Sequence, residues 1–216
     1  MSCLLSRKWQ AGDGKTGMKD IIVGVLALQG DFREHINILK KLDIGAVEIK
    51  FPYQLDSIDG LIIPGGESTT IKKLFDRYGF RDRISEFCRS GRPLFGTCAG
   101  LILLAGDVSG EGRQMGLIDI DVERNAYGRQ IESFEHGISL NLNHKKGGRK
   151  FNSVFIRAPK IIRTGKNVKV LGKYEDQIVL ARENNILVCA FHPELTEDTR
   201  VHEYFINMVK DNLKEH

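Results

Sequence analysis

Pro93-Leu94-Phe95-Gly96-Thr97-Cys98-Ala99-Gly100-Leu101 is the stretch from which the rest of the chain can be read. An apolar run ends at a glycine, a cysteine stands at the turn, and a second glycine opens another apolar run. This is the pattern of a strand feeding a helix through a tight bend, with Cys98 at its tip. The spacing Gly-x-Cys-x-Gly repeats the Gly-x-Ser-x-Gly nucleophile elbow with a thiol in place of the hydroxyl. Small residues are needed there because the bend is strained and neighbouring backbone passes close to it. A thiol at a helix N-terminus also meets free N–H groups and a dipole that favour the thiolate. The competing reading is a buried, inert cysteine, and a base elsewhere in the chain has to decide between them.

Working upstream, Ile21–Leu28 is a continuous apolar, β-branched run, as a central parallel strand covered on both faces should be. Gln29-Gly30-Asp31 reads as a turn, with Asp31 as the N-cap of a helix carrying Phe32, His35, Ile36, Leu39 and Leu42 at helical spacing. Ala46–Phe51 and Asp59–Pro64 read as further strands. Gly65-Gly66-Glu67-Ser68-Thr69 follows, with Ser68 or Thr69 capping a helix that carries Ile71, Leu74 and Phe75. Another helix with Ile84, Phe87 and Cys88 stops at Gly91. The order β-α-β-β-α-α-β-α predicts an α/β fold, an open and mostly parallel sheet between two helical layers. Downstream the character changes. Gly116–Val122 alternates with period two, and short strands are expected at Ser133–Asn141, Ser153–Ile156, Val168–Tyr174, Gln177–Arg182 and Ile186–Phe191. Asn184-Asn185 reads as the last turn and Thr196–Lys214 as a closing helix. Antiparallel strands are thus added to the parallel sheet, in a single domain spanning 18–216.

A chain of 216 residues with 28% charged residues and a net charge of +4 fits one globular domain with a sizeable core. Lys145, Lys146, Arg149 and Lys150 read as a solvated loop, so no nucleic-acid partner is expected. Cys3, Cys88, Cys98 and Cys189 are scattered, with neither zinc nor disulfide spacing, which fits a reducing, cytoplasmic setting. No apolar stretch reaches membrane-spanning length, so no membrane partner is expected. Residues 1–17 lack an apolar signal core and read as a disordered extension, with Met18 as an alternative start. Gly12-Asp13-Gly14-Lys15-Thr16 imitates the end of a P-loop, but Trp9 stands where its first glycine belongs.

In an open α/β sheet, chemistry sits outside the carboxyl ends of the strands. There Phe191-His192-Pro193-Glu194 supplies the missing base. In an extended segment His192 and Glu194 share a side, so the carboxylate can fix one imidazole tautomer while the other nitrogen faces a thiol. The remaining histidines (His35, His136, His144, His202, His216) have weaker claims, and no set has metal-ligand spacing, so no metal is expected. The Gly65–Thr69 turn offers N–H groups to an oxyanion or carboxylate. Arg124 and Arg157 each end a strand; either could clamp a carboxylate, although a surface salt bridge is the commoner fate. A thiolate, an oriented histidine and oxyanion donors together mean acyl transfer through a thioester.

These residues resemble the class I (triad) glutamine amidotransferases, in Gly96-Thr97-Cys98-Ala99-Gly100 with His192-x-Glu194. Leu28-Gln29-Gly30, Pro64–Thr70, Glu123-Arg124-Asn125-Ala126-Tyr127-Gly128-Arg129-Gln130, Ile156-Arg157-Ala158-Pro159 and Phe191–Thr196 narrow the likeness to the glutaminase subunits of pyridoxal-phosphate synthase. The resemblance runs from about Val23 to the closing helix and implies a flavodoxin-like three-layer fold. It implies that Cys98 attacks the side-chain amide of L-glutamine, that His192 is the base and that Glu194 orients it. It further implies glutamine contacts from Gly66, Glu67, Ser68, Arg124, Ile156 and Arg157. Backbone N–H groups of Gly65, Gly66 and Ala99 would form the oxyanion site, and Gln29 and Gly30 the loop that completes it on docking. The implied partner is a (β/α)8-barrel synthase subunit in a large hetero-oligomer, which receives the ammonia. Pyridoxal phosphate is then a product of the complex, and no cofactor is expected here.

Overall fold

The computed structural model describes residues 20–124, 133–142 and 149–215. The expectations for 1–17 and Met18, the Asn125–Gln130 part of the arginine block, His144, Lys145, Lys146 and His216 lie outside the described residues. The apolar runs of the first half form β1 (Ile22–Leu26), β2 (Gly45–Ile49), β3 (Gly60–Ile63) and β4 (Leu94–Thr97). With β13 (Ile186–Cys189) they pair in parallel, in the spatial order β2-β1-β3-β4-β13. This is a doubly wound order whose winding reverses between β1 and β3, so a crevice opens beyond their carboxyl ends.

The helices are α1 (Phe32–Lys41), α2 (Ser68–Arg77), α3 (Phe80–Arg89), α4 (Ala99–Leu104) and α5 (Arg200–Glu215). Successive strand residues point to opposite faces, and β4 sorts the helices accordingly. Phe95 meets His35 of α1 and both His202 and Phe205 of α5. A Cβ on Gly96 would instead meet Gly100 of α4 at 2.7 Å. So α1 and α5 cover one face of the sheet and α4, with α2 against it, covers the other. Leu61, Ile62, Leu94, Phe95, Leu187 and Val188 are fully buried between these layers. At roughly 1.5–3 kcal/mol for each large apolar side chain, this central block contributes substantially to stability.

Beyond β13 the sheet is largely antiparallel, with one further parallel pair near its far edge. The hairpin at Asn184, in the left-handed region at φ 51°, leads back to β12 (Gln177–Glu183). From β12 one path runs through β10 (Lys160–Thr164), β7 (Ile120–Glu123) and β5 (Asp107–Val108) to β6 (Gly112–Arg113). Another runs through β11 (Lys169–Tyr174) and β8 (Ser133–Leu140) to β9 (Phe151–Ile156).

Three expectations are corrected. The strand expected at Gly116–Val122 begins only at Ile120, because the N–H groups of Gly116, Leu117 and Ile118 go to the carbonyls of Ala105 and Leu104. Those are the open carbonyls at the end of α4, and the segment serves them instead of a ladder. The cap of α2 is Glu67, not Ser68 or Thr69; its carboxylate accepts from both Thr69 N and Thr70 N. The closing helix starts at Arg200, since Pro193–Leu195 forms a 3-10 turn first.

Candidate active site

The elbow forms as its glycines require. Cys98 N–H donates to Cys189 O at 2.9 Å, one step past the β4–β13 ladder, and the chain then turns sharply with Cys98 at φ 46°, ψ −99°. A non-glycine residue held there stores on the order of 1–3 kcal/mol. The bend survives because α4 lies directly on the sheet: a Cβ on Gly100 would land on the Ile63 carbonyl. The thiol is 6% exposed, and its Sγ lies 3.8 Å from Ile156 O.

The register that sets Cys189 beside Thr97 carries the next residues of that strand end to the elbow. His192 is anchored by its N–H, which donates to Val154 O of β9 at 2.8 Å. The pair His192 and Glu194 is not extended, as the spacing predicted. His192 opens the 3-10 turn at φ −104°, and the curl returns Glu194 Oε1 to 2.7 Å from His192 Nδ1. A Cβ added to Gly65 would sit 3.0 Å from His192 Nδ1 and 3.4 Å from Cys98 Cβ, so loop, ring and thiol share one small volume. Burial works against a charge on His192, but hydrogen bonds with Asp31, Cys98 and Glu194 push it up to about 12. Burial raises Glu194 as well, and the adjacent His192 draws it part of the way back. The surroundings thus favour the protonated ring, set between carboxylates and thiol.

Asp31 was expected as a helix cap. It makes no side-chain cap bond, and its Oδ2 lies 3.4 Å from His192 Nδ1. Asp31, His192 and Glu194 are the metal-capable group among the described residues. A cation there would have to displace the Nδ1 proton and break the bond that orients the ring, so the donor set favours a proton.

The Gln29–Asp31 loop lies on the Gly65-Gly66 turn. Asp31 N–H donates to Gly65 O at 3.2 Å, a Cβ on Gly30 would land on that same oxygen, and Glu67 N–H donates to Gln29 Oε1 at 3.0 Å. With the Gly65 carbonyl turned to Asp31, peptide planarity points the Gly66 N–H the opposite way. Bonds to Thr70 and Thr69 lower Glu67 to about 2, so its carboxylate serves the cap of α2.

Cys98, Ala99 and His192 floor a cleft of about 570 Å³. Gly66, Glu67 and Ser68 form one wall, and Arg124, Ile156 and Arg157 belong to the other. Gly65, Gln29, Gly30 and Glu194 pack behind these. Arg124 is ion-paired with Glu111, the surface-pair reading, yet stays on the cleft wall. Arg157 holds a left-handed φ of 44° at the end of β9. A larger groove of about 730 Å³ beside β8 and β11 has no cysteine among its described lining residues.

A nucleophile elbow beside a carboxylate-bound histidine agrees with what the chain matches. The model of the SNO glutamine amidotransferase family covers residues 25–211. The chain belongs to the SNO glutamine amidotransferase family. It is 52% identical over 190 residues to the pyridoxal 5'-phosphate synthase subunit PdxT of Thermosipho africanus, covering 87% of this chain and 98% of that one. The PdxT of Anoxybacillus flavithermus is 53% identical, over 88% of this chain and 97% of its own. A crystal structure of a glutamine amidotransferase superposes with a TM-score of 0.81 at 48% identity, over 87% of this chain and 98% of that one. PurLQS from Thermotoga maritima, at 16% identity and a TM-score of 0.69, covers 91% of this chain and 100% of that chain and shares the fold.

In this SNO amidotransferase two histidines with weaker sequence claims, His35 and His202, meet Thr97 next to the site. Behind His192 and Glu194, fully buried, His35 Nδ1 lies 2.9 Å from His202 Nε2, and His35 Nε2 lies 3.3 Å from Thr97 Oγ1 and 3.4 Å from Glu194 Oε2. The available signal was a polar residue at an inward position: His35 at the core spacing of α1, and His202 beside Val201 on α5.

Proposed function

We propose that this chain is the glutaminase subunit of a pyridoxal 5'-phosphate synthase, hydrolysing L-glutamine and passing the ammonia to a synthase barrel. The observation that carries the reading is the strained thiol of Cys98 beside an imidazole whose Nδ1 is held 2.7 Å from a buried carboxylate. The family match and PdxT relatives over most of the chain support the pathway. The amidotransferase domain is read as 18–216, a span whose described strands share one sheet.

In the cycle, the Cys98 thiolate adds to the side-chain carboxamide carbon. The oxyanion faces N–H groups of the Gly65-Gly66 turn and of Ala99, which opens α4 and has no intrahelical partner. The His192 imidazolium gives its proton to the leaving nitrogen, ammonia departs, and a γ-glutamyl thioester remains. The ring, now neutral, takes a proton from water as water attacks the thioester. Collapse expels the thiolate and glutamate, and the ion pair is restored. Glu194 keeps the ring in the tautomer both steps need. Gly66, Glu67, Ser68, Arg124, Ile156 and Arg157 position the amino-acid end of glutamine, the guanidinium groups on its carboxylate. Gln29 and Gly30, stacked on the oxyanion turn, transmit docking of the barrel. Among the described residues no helix is long and apolar enough to cross a membrane. We assign the reaction to the cytoplasm, which suits a thiol nucleophile and two further unpaired cysteines, Cys88 and Cys189.

Glutamate release from glutamine, measured with and without the barrel subunit for wild type and Cys98→Ala, tests this. Release should rise when the barrel is added and vanish in the variant. Release that persists in Cys98→Ala overturns the mechanism.

A further inference from the structure

The triad does not end at Glu194. Its Oε1 accepts the hydrogen bond from His192 Nδ1, but Oε2 is buried and 3.4 Å from His35 Nε2, with no protein hydrogen bond of accepted geometry. A buried carboxylate oxygen without a donor is costly. His35 leans on His202 Nε2 at 2.9 Å, and both rings are fully buried.

The tautomers follow from what each nitrogen faces. If His35 carried its proton on Nδ1, its Nε2 lone pair would confront the carboxylate. His202 Nδ1, which has no partner, would then be a buried donor without an acceptor. The reverse assignment removes both conflicts. His202 Nε2–H donates to His35 Nδ1, His35 Nε2–H points at Glu194 Oε2 and Thr97 Oγ1, and only a lone pair of His202 stays unmatched.

We propose that His35 and His202 are positioning residues of the glutaminase, a neutral two-histidine strut that locks the Glu194 carboxylate and so the His192 ring. The proposal rests on the glutaminase reading above. Neither histidine borders the cleft, so neither touches substrate. Burial keeps both rings neutral: it lowers His35 well below the usual histidine range, helped by His202 and His192, and lowers His202 to about 3. The titratable groups around Glu194 are His192, His35, Asp31 and the buried thiol of Cys189. Of these, His35 alone faces Oε2 with a neutral N–H. Phe95, edge-on to both histidine rings, closes the apolar side of the strut.

The test uses the full chain with its barrel partner, comparing His35→Leu, His35→Gln and His202→Phe with wild type. His35→Leu removes the donor, so ionised Glu194 is less favoured and its pKa rises. The acid limb of kcat/KM then moves to higher pH. We expect kcat to fall by at least about tenfold while KM for glutamine stays within about twofold. His35→Gln, whose amide reaches the Nε2 position, should recover most of the loss, and His202→Phe should shift the acid limb in the same direction by less. Imidazole nitrogen NMR of the wild-type chain needs no substrate and no variant. It should find both rings neutral with the proton on Nε2 from pH 5 to 8. A His35 proton on Nδ1, titration of either ring near pH 6.5, or wild-type kcat and acid limb in a folded His35→Leu overturns the strut. A wild type that releases no glutamate with its partner, while the NMR tautomers stand, fails the glutaminase reading instead.

Discussion

Glu194 has to be a charged carboxylate where burial disfavours charge, and His192 a cation in the same place. Each offsets the burial of the other across their 2.7 Å bond, with Asp31 and Cys98 adding to the support of the ring. Glu194→Gln keeps the shape and an acceptor but removes the charge. The imidazolium then keeps Asp31 and Cys98 but loses the Glu194 charge, and His192 titrates below about 12. The rate should fall by roughly two to four orders of magnitude, the usual value of an oriented proton carrier. A histidine raised in the folded state adds stability that is full below its unfolded pKa of about 6.5. That stability is lost as pH climbs through the folded value, about 12 here. In wild type kcat/KM should therefore have no inflection near 6.5, and one should emerge in Glu194→Gln. NMR titration of the His192 ring reads the same change directly, and an unmoved titration would disprove the coupling.

At the scale of elements, the site is a meeting of strand ends at which backbone, not side chain, fills the space between thiol and base. Gly65→Ala puts a methyl group against the His192 ring and 3.4 Å from Cys98 Cβ. Repacking should cost about 1–3 kcal/mol, and a ring displaced by about an ångström should lower kcat some hundredfold. Gly79→Ala is the control: φ is 72° but nothing lies within 4 Å of the added atom. It should cost about 1 kcal/mol in strain and leave turnover intact. Thermal melts with turnover assays separate the two, and equal turnover in both variants would refute the crowding argument. The contrast marks what could be read beforehand. β1, β3, β4 and β13 were legible because a strand covered on both faces must be apolar throughout. Cys98 was legible because only glycines let α4 lie on the sheet beside it. Lys160–Thr164 was not legible. Its charged Lys160 and Arg163 resemble a loop until β7 arrives, with Asp121 and Asp119 taking the guanidinium. Nor was the 3-10 turn at Glu194, which still delivers the contact that the extended reading required. His35 and His202 were given only weak claims for a related reason. They lie 167 residues apart, and nothing local says that α1 and α5 meet under the same strand.

For the whole molecule, the same two helices place two neutral histidines in the interior, and that sets how the fold responds to acid. A histidine whose folded pKa lies below its unfolded value binds a proton only on unfolding. Stability from each such ring is present above about pH 6.5 and falls as pH drops toward the folded value, by roughly 1.4 kcal/mol per pH unit. For His202 that window runs from 6.5 down to about 3; His35 acts in the same direction. Glu194, raised by burial, opposes them below its own pKa. Asp198, lowered overall through its bonds with Arg200 despite partial burial, adds to the acid loss once its range is reached. A difference measurement isolates one ring from this sum. His202→Phe keeps an aromatic ring beside Phe95 but cannot take up a proton in the unfolded chain. Between pH 6 and 4.5 its unfolding free energy should fall less steeply than wild type, by about 1.4 kcal/mol per pH unit, one proton's worth. Urea denaturation of both proteins across that range gives the two slopes. Parallel slopes would mean that His202 is protonated inside the folded protein, and α5 would then be holding a buried charge instead of a neutral ring.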